Sequence, residues 1–112
     1  MITEDYVSFE VAKLLKEKGF NYKGFDYIDF EGEVITQDRP THQMAMKWLR
    51  EEKNIFIVIE PHMYDYINEK NSSYVTSLWQ GDNYYENITS KDYPTYEEAV
   101  EAALKYTLKN LI

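Results

Sequence analysis

The sequence predicts one α+β domain over residues 1–112, in which three helices pack on an antiparallel or mixed sheet of four or five strands. Three segments, 8–18, 41–53 and 95–111, carry apolar residues at helical spacing behind a capping residue. An uninterrupted apolar run at 55–59 predicts a buried strand, and shorter alternating segments predict the others. The predicted order is α-β-β-α-β-β-(β)-α, with the helices on one face.

The first helix has a signal at each end. Ser8 is a suitable N-cap because its hydroxyl can accept an amide proton of the first turn, and Thr3 is the alternative cap. At the other end, Gly19 can adopt a positive φ, which allows Phe20 to fold back onto Leu15 in a Schellman motif.

A hairpin is predicted next, with strands at 25–30 and 33–36 joined by a turn at Glu31 and Gly32. It is acidic, as expected of an exposed edge protected against pairing with other chains. Between Gly24 and Asp38 there is no Lys or Arg. The carboxylates of this segment are Asp26, Asp29, Glu31, Glu33 and Asp38.

The middle of the chain predicts a second helix and the most apolar strand. Thr41 is the expected N-cap, and Asn54 suits a left-handed position at the C-terminal end. Because Ile55 to Ile59 is continuously apolar, we expect a central strand covered on both faces. The inward stripe predicted for the helix is Met44, Ala45, Trp48 and Leu49.

The last third predicts strands at 74–79 and 84–88, a turn at 81–83 and a loop at 89–94. The final helix begins with a capping box, in which Thr95 and Glu98 satisfy each other's backbone amides. Its predicted inward face is Ala99, Val100, Ala103, Leu104, Thr107 and Leu111.

Composition excludes several kinds of site. The absence of cysteine rules out thiolate zinc sites, a cysteine nucleophile and disulfides, and it permits a reducing cytoplasm, where we expect the protein. The N-terminal residues do not resemble a secretory signal, and no apolar run is long enough to span a bilayer. The net charge of −8 disfavours nucleic-acid and anionic-membrane binding.

Catalytic and metal-binding patterns are missing from the sequence. His42 and His62 have no spacing that suggests a metal site, so we predict neither a metal nor a cofactor. Phosphate-binding and nucleophile-elbow motifs are also missing, and we therefore predict a non-enzymatic protein.

Tyrosine is the most unusual feature, with 11 residues in the chain. Tyrosine and tryptophan are enriched at binding surfaces because they provide a large contact area at low entropic cost. We predict a surface that binds another protein, or a second copy in a homodimer. The opposing interpretation is that half of these rings pack within strands. The predicted binding residues are Tyr64, Tyr66, Trp79, Tyr84, Tyr85 and Tyr93.

Two other functions fit the composition. The acidic 24–38 segment could mimic nucleic acid and occupy a DNA-binding protein, which requires carboxylates at phosphate-like spacing. A weak hydrolase or carbohydrate binder would use the aromatic strands together with nearby acids in a deep cleft. The acids considered for that site are Glu60, Asp65, Asp82 and Glu86.

Three helical segments carry a resemblance to a known family. They read SFEVAKLLKEKGF at 8–20, QMAMKWLRE at 43–51 and TYEEAVEAALKYTLKNL at 95–111, about a third of the chain. They resemble a family of small uncharacterised proteins common in gut-bacterial genomes and their prophages or mobile elements. The resemblance implies a bacterial or phage setting and brings no catalytic residues with it.

Overall fold

A computed structural model of the protein describes residues 5–20, 25–28, 30–32, 34–37, 39–62 and 73–112, with the backbone alone at 25–28, 34–37 and 62. It confirms the α+β class and the order of the elements. The helices are α1 (Phe9–Glu17), α2 (His42–Lys53) and α3 (Tyr96–Asn110). The strands are β1 (Phe25–Ile28), β2 (Val34–Gln37), β3 (Ile55–His62), β4 (Ser73–Gln80), β5 (Asn83–Tyr85) and β6 (Asp92–Tyr93).

The described strands form two antiparallel sheets. β1 and β2 pair with each other, with Ile28 opposite Val34. The predicted two-residue turn is wrong, because the pairing of Ile28 with Val34 centres the turn on Glu31 instead of between Glu31 and Gly32. Gly32 has the expected positive φ, 82°. The larger sheet has the order β3-β4-β5, and β6 also pairs with β4 beyond a bulged segment at 86–91. The loop predicted at 89–94 therefore contains a short strand.

The helix ends follow the predicted capping chemistry. The Ser8, Thr41 and Thr95 side chains each accept a first-turn amide proton. The amides of Gly19 and Phe20 donate to the carbonyls of Lys16 and Leu15, 3.2 and 2.9 Å away, which completes the Schellman motif. Asn54 ends α2 in the left-handed conformation, at φ 55°.

The core lies between the helices and one face of the larger sheet. α3 packs on β3 and β4, α2 packs on β3, and α1 packs on α3. From the sheet, Ile55 and Leu78 are fully buried in this core. From the helices it receives, among others, Val11, Leu15, Ala45, Met46, Leu49, Val100, Leu104 and Leu108.

Two predictions about packing are wrong in detail. Met44 is 40% exposed, and Met46 is buried in its place, because the apolar stripe of α2 is turned toward α3 and β3. β3 is not central. Among the described strands it pairs with β4 alone, at the edge of the sheet, and its Phe56 is exposed.

Candidate functional site

The larger sheet has an outer face, the one turned away from the helices. Cross-strand partners point to the same face of a sheet, and successive residues of a strand point to opposite faces. Phe56 pairs with Trp79, and Trp79 pairs with Tyr84. Since Ile55 and Leu78, their neighbours in sequence, are in the core, these three aromatic residues lie on the outer face.

Phe56, Trp79 and Tyr84 form what we call the aromatic cluster. They lie side by side across β3, β4 and β5 and are 42%, 43% and 40% exposed. The Trp79 and Tyr84 rings are 5.0 Å apart between centroids and tilted by 44°. Large aromatic side chains left this exposed on adjacent strands make a continuous apolar surface, which in soluble proteins commonly marks an interaction site.

Tyr84 links the aromatic cluster to a carboxylate. Its hydroxyl donates to Glu60 Oε1 at 2.7 Å. A hydrogen bond from the Ser77 hydroxyl lowers the pKa of Tyr84, but the Glu60 hydrogen bond and the charges of Glu60 and Glu86 outweigh it and raise that pKa. The tyrosine therefore stays protonated and acts as a hydrogen-bond donor.

The strands that carry the aromatic cluster have acidic residues in or beside them and no basic residue. β3, β4 and β5 contain no Lys or Arg. Glu60 lies in β3, Asp82 in the turn between β4 and β5, and Glu86 directly after β5. Of these acids, Glu60 accepts the Tyr84 hydrogen bond and Glu86 is close enough for its charge to raise the pKa of Tyr84.

The other predicted binding residues have different positions. Tyr85 pairs with Leu78, so it points to the helix side, although it is 47% exposed at the sheet edge. Tyr93 pairs with Tyr74, on the same side as the buried Thr76, and is half-buried. Tyr64 and Tyr66 lie outside the described residues. The structure therefore brings Trp79 and Tyr84 together and adds Phe56, which the prediction omitted because it placed that residue in a fully covered strand.

A second feature, the α3 groove, lies on the helix side. It is an open groove of about 1000 Å³ along α3, bounded by residues 5–8, the start of α2 and the 88–94 segment. Glu101 lies in it and joins three elements, because its Oε1 accepts from the Ser8 amide at 2.7 Å and is 3.0 Å from His42 Nε2. His42 is buried, with 7% of its surface exposed.

Glu101 is half-buried, and its environment favours the ionised form. Burial raises the pKa of Glu101. The hydrogen bonds from His42 and from the Ser8 amide and hydroxyl lower it by more than burial raises it, so the pKa lies below its ordinary value. This contact has no signal in the sequence, because Glu101 is separated from Ser8 by 93 residues and from His42 by 59.

The other predicted sites are only partly described. Of the acidic 24–38 segment, Asp29, Glu33 and Asp38 fall outside the described residues, so the nucleic-acid mimic stays a prediction. Of the acids considered for a hydrolase, Glu60, Asp82 and Glu86 do not line the α3 groove and Asp65 lies outside the described residues, so that alternative also stays a prediction. In the described part of the chain, no group of three His, Asp or Glu residues could hold a metal ion. Nor is any described helix long and apolar enough to cross a membrane.

No family model, curated protein or solved structure matches this chain. The family resemblance of the three helical segments therefore stays a prediction, and functional inference rests on the geometry.

Proposed function

We propose that this chain is a non-enzymatic protein-binding domain that contacts its partner through the aromatic cluster on the outer face of the sheet. The observation that carries the proposal is the alignment of Phe56, Trp79 and Tyr84 on three adjacent strands, each about two-fifths exposed and opposite the core. Burying one face of the sheet is enough to form the core. Three large aromatic side chains on the other face contribute little to that core, and their exposure is typical of a binding surface.

The energetics of protein interfaces support these residues as anchors. Tryptophan and tyrosine are enriched among residues whose truncation costs about 2 kcal/mol or more of binding energy. Trp79 and Tyr84 are in contact, so a partner that covers one must desolvate both. The Tyr84–Glu60 hydrogen bond holds the Tyr84 ring in place before binding, which reduces the entropic cost of association.

Charge complementarity determines the kind of partner. Glu60 and Glu86 act on Tyr84 of the aromatic cluster, its strands have no basic residue, and the chain carries a net charge of −8. The partner we propose therefore presents an apolar or aromatic centre flanked by Lys and Arg. Self-association through this face would set the same carboxylates against one another, so a second copy is the less favoured occupant.

The cellular setting is also part of the proposal. The absence of cysteine suits a reducing bacterial or phage-infected cytoplasm, in agreement with the setting that the family resemblance implies. The charge of −8 argues against direct binding to nucleic acid or an anionic membrane.

The experiment that tests the proposal is selection of binders from a random peptide library displayed on phage, using the intact chain as target. We expect selected peptides to carry an aromatic or aliphatic residue between Lys or Arg residues. The best peptide is then synthesised, and its affinity is measured for the unmodified chain, for Phe56→Ala and for Phe9→Ala. Phe9 is a matched control because it is 71% exposed on α1, away from the sheet.

The proposal predicts a loss of roughly tenfold or more in affinity for Phe56→Ala and no change for Phe9→Ala. Added salt should weaken binding without abolishing it, since the carboxylate charges are screened while the apolar contacts are not. Selected peptides that bind both variants equally would contradict the proposal. If sedimentation shows a dimer and Phe56→Ala dissociates it, the occupant of this face is a second copy of the chain and not a basic partner.

A further inference from the structure

The α3 groove has the size and the walls of a small-molecule site. Its volume of about 1000 Å³ is at the upper end of the range for pockets that hold compact organic ligands. The tyrosines Tyr6, Tyr93 and Tyr106 line it together with Ile88 and Pro94. The walls therefore combine apolar and aromatic surface with charged side chains, and the groove lies on the opposite side of the sheet from the aromatic cluster.

Glu101 is a fixed anion within this groove. Its Oε1 is held by the Ser8 amide at 2.7 Å and by His42 Nε2 at 3.0 Å, so the carboxylate is oriented by two elements other than its own helix. The Ser8 amide is neutral, and the imidazole offsets the carboxylate charge only when it is protonated. A half-buried carboxylate in this position favours a cationic group in the groove.

The remaining charges of the groove leave that preference in place. Lys105 and Lys109 line it and share one carboxylate, that of Glu10 on α1, at 2.9 and 3.2 Å. The charge of Lys105 also interacts with that of Glu101, so an amine in the groove competes with it for this carboxylate. Lys91 is the third lysine of the lining. The acidic residues that line the groove besides Glu101 are Asp5, Glu97 and Glu98. Tyrosine faces also attract cations, which adds to the preference.

We infer that the α3 groove binds a small organic amine, with the ammonium group against the Glu101 carboxylate and the apolar body against Tyr6, Tyr93 and Tyr106. This site is independent of the protein-binding surface, because it uses the opposite side of the sheet and shares no residue with the aromatic cluster.

The test uses phenethylamine as the probe and follows the amide NMR chemical shifts of the intact chain. Phenethyl alcohol and phenylpropionate are matched neutral and anionic probes with nearly the same apolar body. We expect phenethylamine to shift the signals of Ser8, Glu101 and Tyr106 and to bind roughly tenfold more tightly than the alcohol. The anion should bind more weakly than either.

Two variants locate the ammonium group. Glu101→Gln keeps the shape of the side chain and removes its charge, so it should weaken amine binding roughly tenfold and leave alcohol binding nearly unchanged. Glu60→Gln, on the outer face, should change neither. If Glu101→Gln does not fold, the comparison of the three probes on the unmodified chain still tests whether the groove prefers an amine. Equal binding of amine and alcohol, no binding of the amine at millimolar concentration, or shifts confined to the outer face would overturn the inference.

Discussion

The two faces of the larger sheet are built from the same strands but carry different kinds of residue. Ile55 and Leu78 on the inner face are fully buried, while their neighbours Phe56 and Trp79 on the outer face are about two-fifths exposed. Two residues that are adjacent in a strand therefore have different roles: one stabilises the core, and the next is exposed to a partner. Burial rather than hydrophobicity separates the two roles.

The largest expected effect comes from replacing neighbours on opposite faces. Leu78→Ala should lower the free energy of unfolding by about 3 kcal/mol, because it leaves a cavity in the core. Trp79→Ala should lower it less, by about 1 kcal/mol, because Trp79 is 43% exposed and its ring contact is with the similarly exposed Tyr84. Urea unfolding followed by circular dichroism measures both. Equal losses would show that the outer face is part of the core.

Glu101 gives a test of how the helix side is held together. Glu101→Gln should lower the free energy of unfolding by about 1.5 kcal/mol at neutral pH, because it removes a charged acceptor for Ser8 and His42. The pKa of Glu101 is lowered in the folded state. Its stabilisation is therefore present above the ordinary pKa of 4.5 and is lost as the pH falls through the folded value.

The corresponding measurement is urea unfolding of both proteins from neutral to acidic pH. The difference between them should shrink as the pH falls below the ordinary carboxyl range. Glu97→Gln, an exposed position one turn earlier on α3, is the control and should change stability by less than about 0.5 kcal/mol. A difference that is independent of pH would show that the Glu101 charge does not stabilise the fold.

Two buried threonines on the helix side should respond in opposite directions to the same change. Among the described residues, the Thr107 hydroxyl is a buried side-chain oxygen without a hydrogen-bond partner, so Thr107→Val should stabilise the protein by about 1 kcal/mol. The Thr76 hydroxyl is 3.0 Å from that of Thr89, so Thr76→Val should destabilise it by a similar amount. Thermal melts distinguish the signs, and a stabilising Thr76→Val would refute the hydrogen-bond argument.

The smallest effect is expected on the outer face. Tyr84→Phe removes the hydrogen bond to Glu60 and keeps the ring, so the free energy of unfolding should change by less than about 0.5 kcal/mol. Peptide affinity should fall more than stability if this bond orients the ring for binding. A large loss of stability would instead give the Tyr84–Glu60 pair a role in the fold.

The fold was predictable where its determinants are local. The N-caps at Ser8, Thr41 and Thr95 and the helix ends at Gly19 and Asn54 depend on a few neighbouring residues and are confirmed. Of the predicted capping box, the structure shows the Glu98 amide donating to the Thr95 hydroxyl. The place of β3 in the sheet was not predictable from its apolar run, because strand order depends on partners distant in sequence.

The candidate site was predictable only in part, for a geometric reason. Trp79 and Tyr84 were identified from composition, and both lie in the aromatic cluster. Tyr93 points to the helix side of the sheet. The bulged segment between β5 and β6, with positive φ at Asn87 and Ser90, determines to which side the β6 residues point. Glu101 was missed because its contacts join segments far apart in sequence.

The outer face of the sheet is proposed to bind a partner, while the inner face stabilises the fold. The most direct test is to measure both peptide affinity and unfolding free energy for Trp79→Ala. We expect the affinity for the selected peptide to fall roughly tenfold or more, while the unfolding free energy falls by about 1 kcal/mol. Unchanged affinity, or a stability loss as large as that of Leu78→Ala, would contradict it.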